Sequence, residues 1–172
     1  MKEWRGDMEL IPLDTRSPYF SRMVRLYSRL FNVDRIPMEI QFRKHAKYPG
    51  HEGHLAVEQG TVIGYIYGYT SLKGQYYHDL LARHLLPETD WIRDAMELVE
   101  LGVAPEHRGK GIAGKLMDTL LEGRREEKAL LTVRKENTGA IRLYERKGWV
   151  VVKKGFFPNV PEEYFIMGKK LT

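Results

Sequence analysis

The chain has 172 residues, a length that suits one domain with a hydrophobic core of ordinary size. It contains no cysteine, which excludes disulfides, thiolate metal sites and cysteine nucleophiles, and its net charge of +5 is spread among interspersed acids and bases. Because no apolar run reaches membrane length and the N-terminus lacks a signal-peptide core, we expect a single cytoplasmic domain over residues 1–172 that does not enter a membrane.

The first part of the chain predicts a strand, two helices and a hairpin of two strands. Apolar residues between 19 and 31 fall on one helical face, and the polar residues and Pro18 before them are typical of a helix start. Gly60-Thr61 lies between two apolar runs and indicates a hairpin turn. The predicted elements are a strand at 8–13, helices at 19–31 and 38–46, and strands at 54–59 and 62–69.

The second strand of this hairpin carries Tyr65, Tyr67 and Tyr69 at every second position, so their side chains share one face. Two interpretations of this face stay open. It fits aromatic packing against other elements, and it fits one wall of a substrate cleft.

The segment 71–95 is too long for a tight turn and predicts a helix at 76–86, ended by Pro87. Segments of this length often cover a site or form an interface, so we expect a lid over the acceptor or a dimer surface. His78 and His84 do not have the spacing of a metal site, and we expect no metal.

A glycine-rich turn connects a predicted strand at 96–103 to a predicted helix at 112–121. Its glycines lack side chains, so consecutive backbone N–H groups can turn toward one anion while the helix N-terminus adds partial positive charge. An arginine and a lysine add full charges. The turn therefore predicts a phosphate-binding loop with these members: Arg108, Gly109, Lys110, Gly111, Ile112, Ala113 and Gly114.

The last part of the chain predicts one more strand and helix, then two strands. Asn137 precedes the helix, where its side chain can cap the first turn or reach a ligand. The whole order of elements is mixed α and β, without repeats. The predicted elements are a strand at 129–133, a helix at 140–146, and strands at 149–152 and 163–167.

Two segments resemble the signatures of the GNAT superfamily of N-acetyltransferases. Arg108-Gly109-Lys110-Gly111-Ile112-Ala113 matches the pattern Arg/Gln-x-x-Gly-x-Gly/Ala, which in that family is the pyrophosphate loop for acyl-CoA. Asn137-x-x-Ala140-x-x-x-Tyr144-x-x-x-Gly148-Trp149 looks like the second signature. The clear match covers roughly the C-terminal half, and the N-terminal half agrees in the order of its elements.

The resemblance implies an α/β (α+β) fold, in which a mixed, mostly antiparallel central sheet of about seven strands carries helices on both faces. It also implies a splay between the fourth and fifth strands, which leaves room for the pantetheine of acetyl-CoA. The implied activity is acetyl-CoA-dependent N-acetyltransfer to a primary amine of a small molecule or peptide. The acceptor attacks directly in a ternary complex, with no covalent enzyme intermediate and no metal.

The resemblance assigns roles to particular residues. The backbone of Leu101, Gly102 and Val103 pairs with pantetheine and polarises the thioester carbonyl, while the loop through Gly114 and the residue Asn137 belong to the cofactor side. Tyr144 occupies the position of the family's general acid and would protonate the thiolate of CoA.

The general base is less sharply defined, because Glu97 and Glu100 both lie in an otherwise apolar strand. Glu97 lies four residues before Leu101, where histone-type relatives carry a base glutamate, and burial would raise its pKa. Glu97 could instead be an exposed carboxylate at the strand end without a catalytic role. A chain of water molecules could then deprotonate the amine. Ribosomal-protein acetyltransferases carry the base at the position of Thr132, which cannot serve.

Two functions other than catalysis stay open. A non-catalytic module of the same fold would bind acyl-CoA as a regulatory ligand. A basic nucleic-acid binder would cluster its Lys and Arg residues, whereas here Glu residues intersperse them, so we expect no nucleic-acid partner. Homodimerisation would follow the family's habit, and the sequence does not name the acceptor.

Overall fold

The computed structural model describes residues 8–171. These residues form seven strands and five α-helices, joined by loops and one short 3₁₀ turn at Pro105–His107. In chain order the elements are β1 (Met8–Pro12), α1 (Pro18–Phe31), α2 (Arg35–His45), β2 (Glu52–Glu58), β3 (Thr61–Thr70), α3 (Tyr76–Leu85), β4 (Ala95–Val103), α4 (Ile112–Leu121), β5 (Lys128–Arg134), α5 (Thr138–Arg146), β6 (Val150–Phe156) and β7 (Tyr164–Lys170).

The strands form one sheet in the order β1-β2-β3-β4-β5-β7-β6. The recorded pairs are antiparallel except for β4 with β5, which is parallel. Among the described residues, the β4–β5 ladder ends at Glu97 opposite Leu130, although the two strands continue to Val103 and Arg134. The mixed, mostly antiparallel sheet is thus confirmed, and the short ladder is what the expected splay requires.

The described chain divides into two compact units. The first unit contains residues 8–69 and 100–123, and the second contains residues 70–99 and 124–171. The division passes through β4. The expectation of a single domain over residues 1–172 stays a prediction.

In the first unit, helices cover both faces of the hairpin strand β3. Tyr65 and Tyr67 face α1 and α2, where their rings lie 6.0 Å from Tyr27 and 5.6 Å from Phe42. The opposite face carries Gly64, and a Cβ added there would lie 3.2 Å from the side chain of Leu116 in α4. The tyrosine face thus packs against aromatic rings of α1 and α2. On the other face, the missing side chain at Gly64 lets α4 approach the sheet.

Two local predictions in this unit were displaced by a few residues. α2 begins at Arg35 rather than 38, because the Asp34 side chain accepts a hydrogen bond from the Ile36 N–H and caps the first turn. Pro37 is tolerated there, since a first-turn residue needs no N–H donor. The hairpin turn is formed by Gln59 and Gly60, whose φ angles are 48° and 76°, one residue earlier than predicted.

In the second unit, α3 supplies part of the core. Three leucines of this helix pack with side chains from β5, β6 and β7, so the segment 71–95 does more than cover the surface. The helix itself is confirmed at Tyr76–Leu85. The shared cluster includes Leu80, Leu81, Leu85, Leu130, Phe156 and Ile166. No helix within residues 8–171 has the length and apolarity needed to cross a bilayer.

Candidate phosphate loop and reaction site

The glycine-rich loop has the backbone that its sequence predicted. Gly109 and Gly111 adopt φ angles of 76° and 81°, in the left-handed region that favours glycine, and a Cβ at either position would meet nothing within 4 Å. Gly111 is the N-cap of α4, and in the described part of the chain no side chain caps that helix and no acidic residue occupies its first turn. Its first N–H groups are therefore available to an anion.

The other members of the loop divide into backbone and side-chain contributors. Ile112 is 1% exposed and Gly114 is buried, so each can offer a ligand its backbone only. Ala113 is half-buried and Lys110 is exposed. The Arg108 Nε donates a hydrogen bond of 3.2 Å to the Val103 carbonyl, which ties the loop to the end of β4.

The end of β4 is close-packed on one side. A Cβ at Gly102 would lie 2.4 Å from the Tyr65 hydroxyl oxygen, a distance that real Cβ atoms do not tolerate. We expected a glycine here because it allows close approach of a cofactor. The structure gives a second explanation, since a side chain at this position would collide with Tyr65. Leu101 is half-buried and Val103 is buried on either side of it.

Glu100 lies in the same strand, and its carboxyl group is held in an unusual environment. Burial raises the pKa of Glu100 to about 7, while a hydrogen bond with Tyr27 acts in the opposite direction. A carboxyl group with this pKa exchanges its proton near neutral pH, which is what a general base needs.

Glu97, the other candidate base, is placed differently. It is 3% exposed and pairs with Leu130 in the β4–β5 ladder. The two glutamates fall in different units of the chain, Glu97 in the second and Glu100 in the first.

Tyr65 and Tyr27 lie beside Glu100, and neither was predicted as a catalytic or cofactor-binding residue, although the face of Tyr65 was a candidate wall of the acceptor cleft. Burial, and then the neighbouring Glu100 and Tyr27, raise the pKa of Tyr65 above its ordinary value, and Arg108 opposes them. The Tyr65 hydroxyl is buried, and among residues 8–171 it has no hydrogen-bond partner. The sequence pattern placed both tyrosines on packed faces, but no spacing rule connects either of them to a glutamate so far along the chain.

The second unit contains the remaining predicted residues. The Asn137 side chain accepts a hydrogen bond of 3.3 Å from the Ala140 N–H, so it caps α5. Tyr144 is 9% exposed, and its ring lies 6.2 Å from that of Trp149. The Thr132 hydroxyl lies 3.0 Å from the Tyr77 hydroxyl. In the part of the chain that the structure describes, no three His, Asp or Glu side chains converge as metal ligands.

Comparison with known proteins gives concordant results. The model of the acetyltransferase (GNAT) family matches residues 20–149. A GCN5-like protein acetyltransferase of Mycobacterium tuberculosis is 31% identical over 126 residues, which cover 67% of this chain and 61% of that protein. The match therefore spans less than two thirds of this relative's length.

Two solved structures illustrate the similarity of fold. Arabidopsis thaliana NAA60 in complex with acetyl-CoA has a TM-score of 0.71 at 19% identity, over 95% of this chain and 98% of that one. The putative acetyltransferase yncA of Salmonella typhimurium, with its cofactor acetyl-CoA, has a TM-score of 0.69 at 18% identity, over 97% and 95% of the two chains. At these identities the similarity concerns the fold.

Proposed function

Because the chain belongs to the acetyltransferase (GNAT) family, we propose that it is an N-acetyltransferase that uses acetyl-CoA. It moves the acetyl group to a primary amine of a small molecule or peptide by direct attack in a ternary complex. The observation that carries the proposal is the loop before α4, where left-handed glycines and an uncapped helix N-terminus leave N–H donors available.

Acetyl-CoA fits this loop because its pyrophosphate is an anion that several N–H groups can share. Lys110 adds a full positive charge, and Arg108 holds the loop against the end of β4. Two proteins of similar fold, NAA60 and yncA, have solved structures with acetyl-CoA, which supports this choice of co-substrate. The bound thioester would supply the activated acetyl group.

We assign the role of general base to Glu100. An acceptor amine arrives mostly as an ammonium ion and must lose a proton before it attacks, and a carboxyl with a pKa of about 7 can take that proton at neutral pH. Glu97, which is 3% exposed, stays the alternative base, as the resemblance suggested.

The remaining steps follow the family resemblance. The backbone of Leu101, Gly102 and Val103 polarises the thioester carbonyl. Tyr144 protonates the departing thiolate, and the second proton that the nitrogen loses after attack balances this transfer. Asn137 contributes to the cofactor side through the start of α5, whose first turn it caps.

The test of this proposal is a calorimetric titration with acetyl-CoA of the parent and of two variants, Gly111→Asp and Gly123→Asp. Both glycines have positive φ angles, 81° and 74°, and both face open space, so backbone strain and added charge are matched. We expect the parent and Gly123→Asp to bind one equivalent, and Gly111→Asp to lose at least about tenfold in affinity, the cost of one unfavourable charge at a site for anions.

The outcomes separate the alternatives. A parent that does not bind acetyl-CoA overturns the proposal. Equal weakening by both substitutions would show that the effect is not local to the loop. Binding without acetyl transfer to any amine in a screen would favour the regulatory module.

A further inference from the structure

Three side chains of the first unit meet beside Gly102, and the cofactor loop does not explain them. Glu100 is hydrogen-bonded to Tyr27. The Tyr65 hydroxyl oxygen fills the space where a Cβ of Gly102 would stand, 2.4 Å from that position. Since Glu100 and Gly102 are two residues apart in β4, both face the side of the sheet that Tyr65 occupies.

The Tyr65 hydroxyl is exceptional among the tyrosines of its strand. Tyr65 is 0% exposed and Tyr67 is 1% exposed, but the Tyr67 hydroxyl lies 2.8 Å from the His45 Nδ1, whereas that of Tyr65 has no partner within residues 8–171. A buried hydroxyl without a partner destabilises a protein, and phenylalanine would fill the same space without this cost. Such groups call for an explanation outside folding, and ligand binding is one.

We infer that Tyr65 binds the acceptor amine: its hydroxyl oxygen accepts a hydrogen bond from the nitrogen while the Glu100 carboxylate takes a proton from it. This inference rests on the proposed function, and it adds the place where the acceptor binds. The ammonium ion gives one proton to Glu100 and directs a second hydrogen to Tyr65. The electron pair of the broken N–H bond stays on the nitrogen, which must turn it from Glu100 toward the thioester carbonyl before it attacks.

Tyr27 holds the position beside Glu100 that the acceptor would take. The Tyr27 ring is half-buried and lies 6.0 Å from the ring of Tyr65. The Tyr27 hydroxyl is hydrogen-bonded to the Glu100 carboxyl group. An arriving ammonium ion replaces the neutral hydroxyl donor by a charged donor, so that both partners of the hydrogen bond to the Glu100 carboxylate are ionised and the bond is stronger. The exchange therefore favours a cationic ligand over a neutral one.

The surroundings select the class of acceptor. Aromatic rings pack around Tyr27, since those of Phe31 and Phe42 lie 4.6 Å and 5.0 Å from its ring. The neighbouring carboxylate of Glu106 is paired with Arg29. One available carboxylate with aromatic walls fits an amine that carries a single positive charge next to an apolar group, and it disfavours a polyamine.

The experiment compares Tyr65→Phe with Tyr67→Phe, using benzylamine and spermidine as acceptor probes. For Tyr65→Phe we expect unchanged acetyl-CoA binding, a higher melting temperature, and a fall of about tenfold in kcat/KM for benzylamine, the factor that one hydrogen bond of ordinary strength provides. For Tyr67→Phe we expect the reverse: a lower melting temperature and unchanged kcat/KM. The parent should prefer benzylamine to spermidine.

Three results would overturn the inference while leaving the proposed function in place. These are an unchanged kcat/KM in Tyr65→Phe, a Tyr65→Phe variant that melts below the parent, and a parent that acetylates spermidine but not benzylamine. Acetyl-CoA binding without transfer to either probe also overturns it. A parent that does not bind acetyl-CoA removes the proposed function itself.

Discussion

The protonation of Glu100 is decided by two opposing effects at the scale of one residue. Burial favours the neutral acid, and the hydrogen bond with Tyr27 favours the carboxylate; burial is the larger, so the pKa settles at about 7. A base at this pKa is half-ionised at neutral pH, which combines a usable population of carboxylate with real basicity.

The pH dependence of acetyl transfer tests this assignment. We expect kcat/KM to rise with pH through about 7 as Glu100 loses its proton, and Tyr27→Phe to move this rise to higher pH because the hydrogen bond that stabilises the carboxylate is removed. Glu100→Gln should lower kcat by about 10²-fold or more and abolish the rise. Steady-state rates between pH 5 and 9 would measure both effects.

Glu97→Gln is the matched control, since it makes the same chemical change in the same strand. It should leave the position of the pH rise unchanged. If instead Glu97→Gln removes the rise and Glu100→Gln keeps it, the base is Glu97, as the family resemblance first indicated.

Gly102 provides a second test at this scale. An alanine there would place its Cβ 2.4 Å from the buried Tyr65 hydroxyl, and we expect the free energy of unfolding to fall by about 1–3 kcal/mol through overpacking. Gly139→Ala is the control, because that glycine lies in α5 with nothing within 4 Å, and alanine should stabilise the helix. Urea unfolding measures the free energy of unfolding of both variants. If Gly102→Ala is as stable as Gly139→Ala, the Tyr65 side chain moves to make room for the added methyl group.

At the scale of elements, local chemistry decided most boundaries. The helix after the loop follows from local signals, because the apolar stripe between Ile112 and Leu121 and the glycine before it are contiguous in the sequence. The start of α2 was missed because Asp34 was interpreted as part of a break, although an Asp followed by a proline in the first turn is itself a helix start.

The Asp34 cap can be tested directly. Asp34→Ala should lower the free energy of unfolding by about 1 kcal/mol, because the Ile36 N–H loses its acceptor. Asp34→Asn keeps a side-chain oxygen at the same place and should keep most of the stability. Chemical denaturation measures both, and an equal loss in the two variants would point to the negative charge rather than the cap.

Contacts between distant residues set the limit of prediction from sequence. The phosphate loop is contiguous, so its glycines and charges could be recognised together, and the motif with Asn137 and Tyr144 was equally local. The contact of Tyr27 with Glu100, and that of Tyr65 with Gly102, join separate elements. Helical and strand periodicity placed each tyrosine on a packed face but did not say which residue it would meet.

At the scale of the whole molecule, two buried titratable groups make stability depend on pH in opposite directions. Burial, followed by the charges of Lys44 and His51, lowers the pKa of His45 to about 4, so the unfolded chain binds a proton that the folded one does not as the pH falls below its ordinary value of 6.5. Stability is then lost on acidification from 6.5 toward 4. For Glu100, the folded state holds the proton up to about 7, above the ordinary value of 4.5, so stability is lost as the pH rises between these values.

Replacing each group should remove its own contribution to the pH dependence. His45→Gln keeps a hydrogen-bonding group near the Tyr67 hydroxyl and leaves the Glu100 contribution, so we expect its free energy of unfolding to decrease as the pH rises from 4.5 to 6.5. Glu100→Gln leaves the His45 contribution, so its free energy of unfolding should decrease on acidification from pH 6.5 toward 4, more steeply than that of the parent. The pKa of Glu106 is lowered by a backbone hydrogen bond and by Arg29. Carboxyl groups of this kind act equally in all three proteins and cancel in the differences.

Urea unfolding at five pH values would measure how the free energy of unfolding changes with pH. Parallel curves for the parent and both variants would show that neither His45 nor Glu100 has the shifted pKa that its surroundings imply. Because the two effects oppose each other where they overlap, the stability of the parent should change little between pH 5 and 6.5. Each variant should show the pH dependence of the group that it retains.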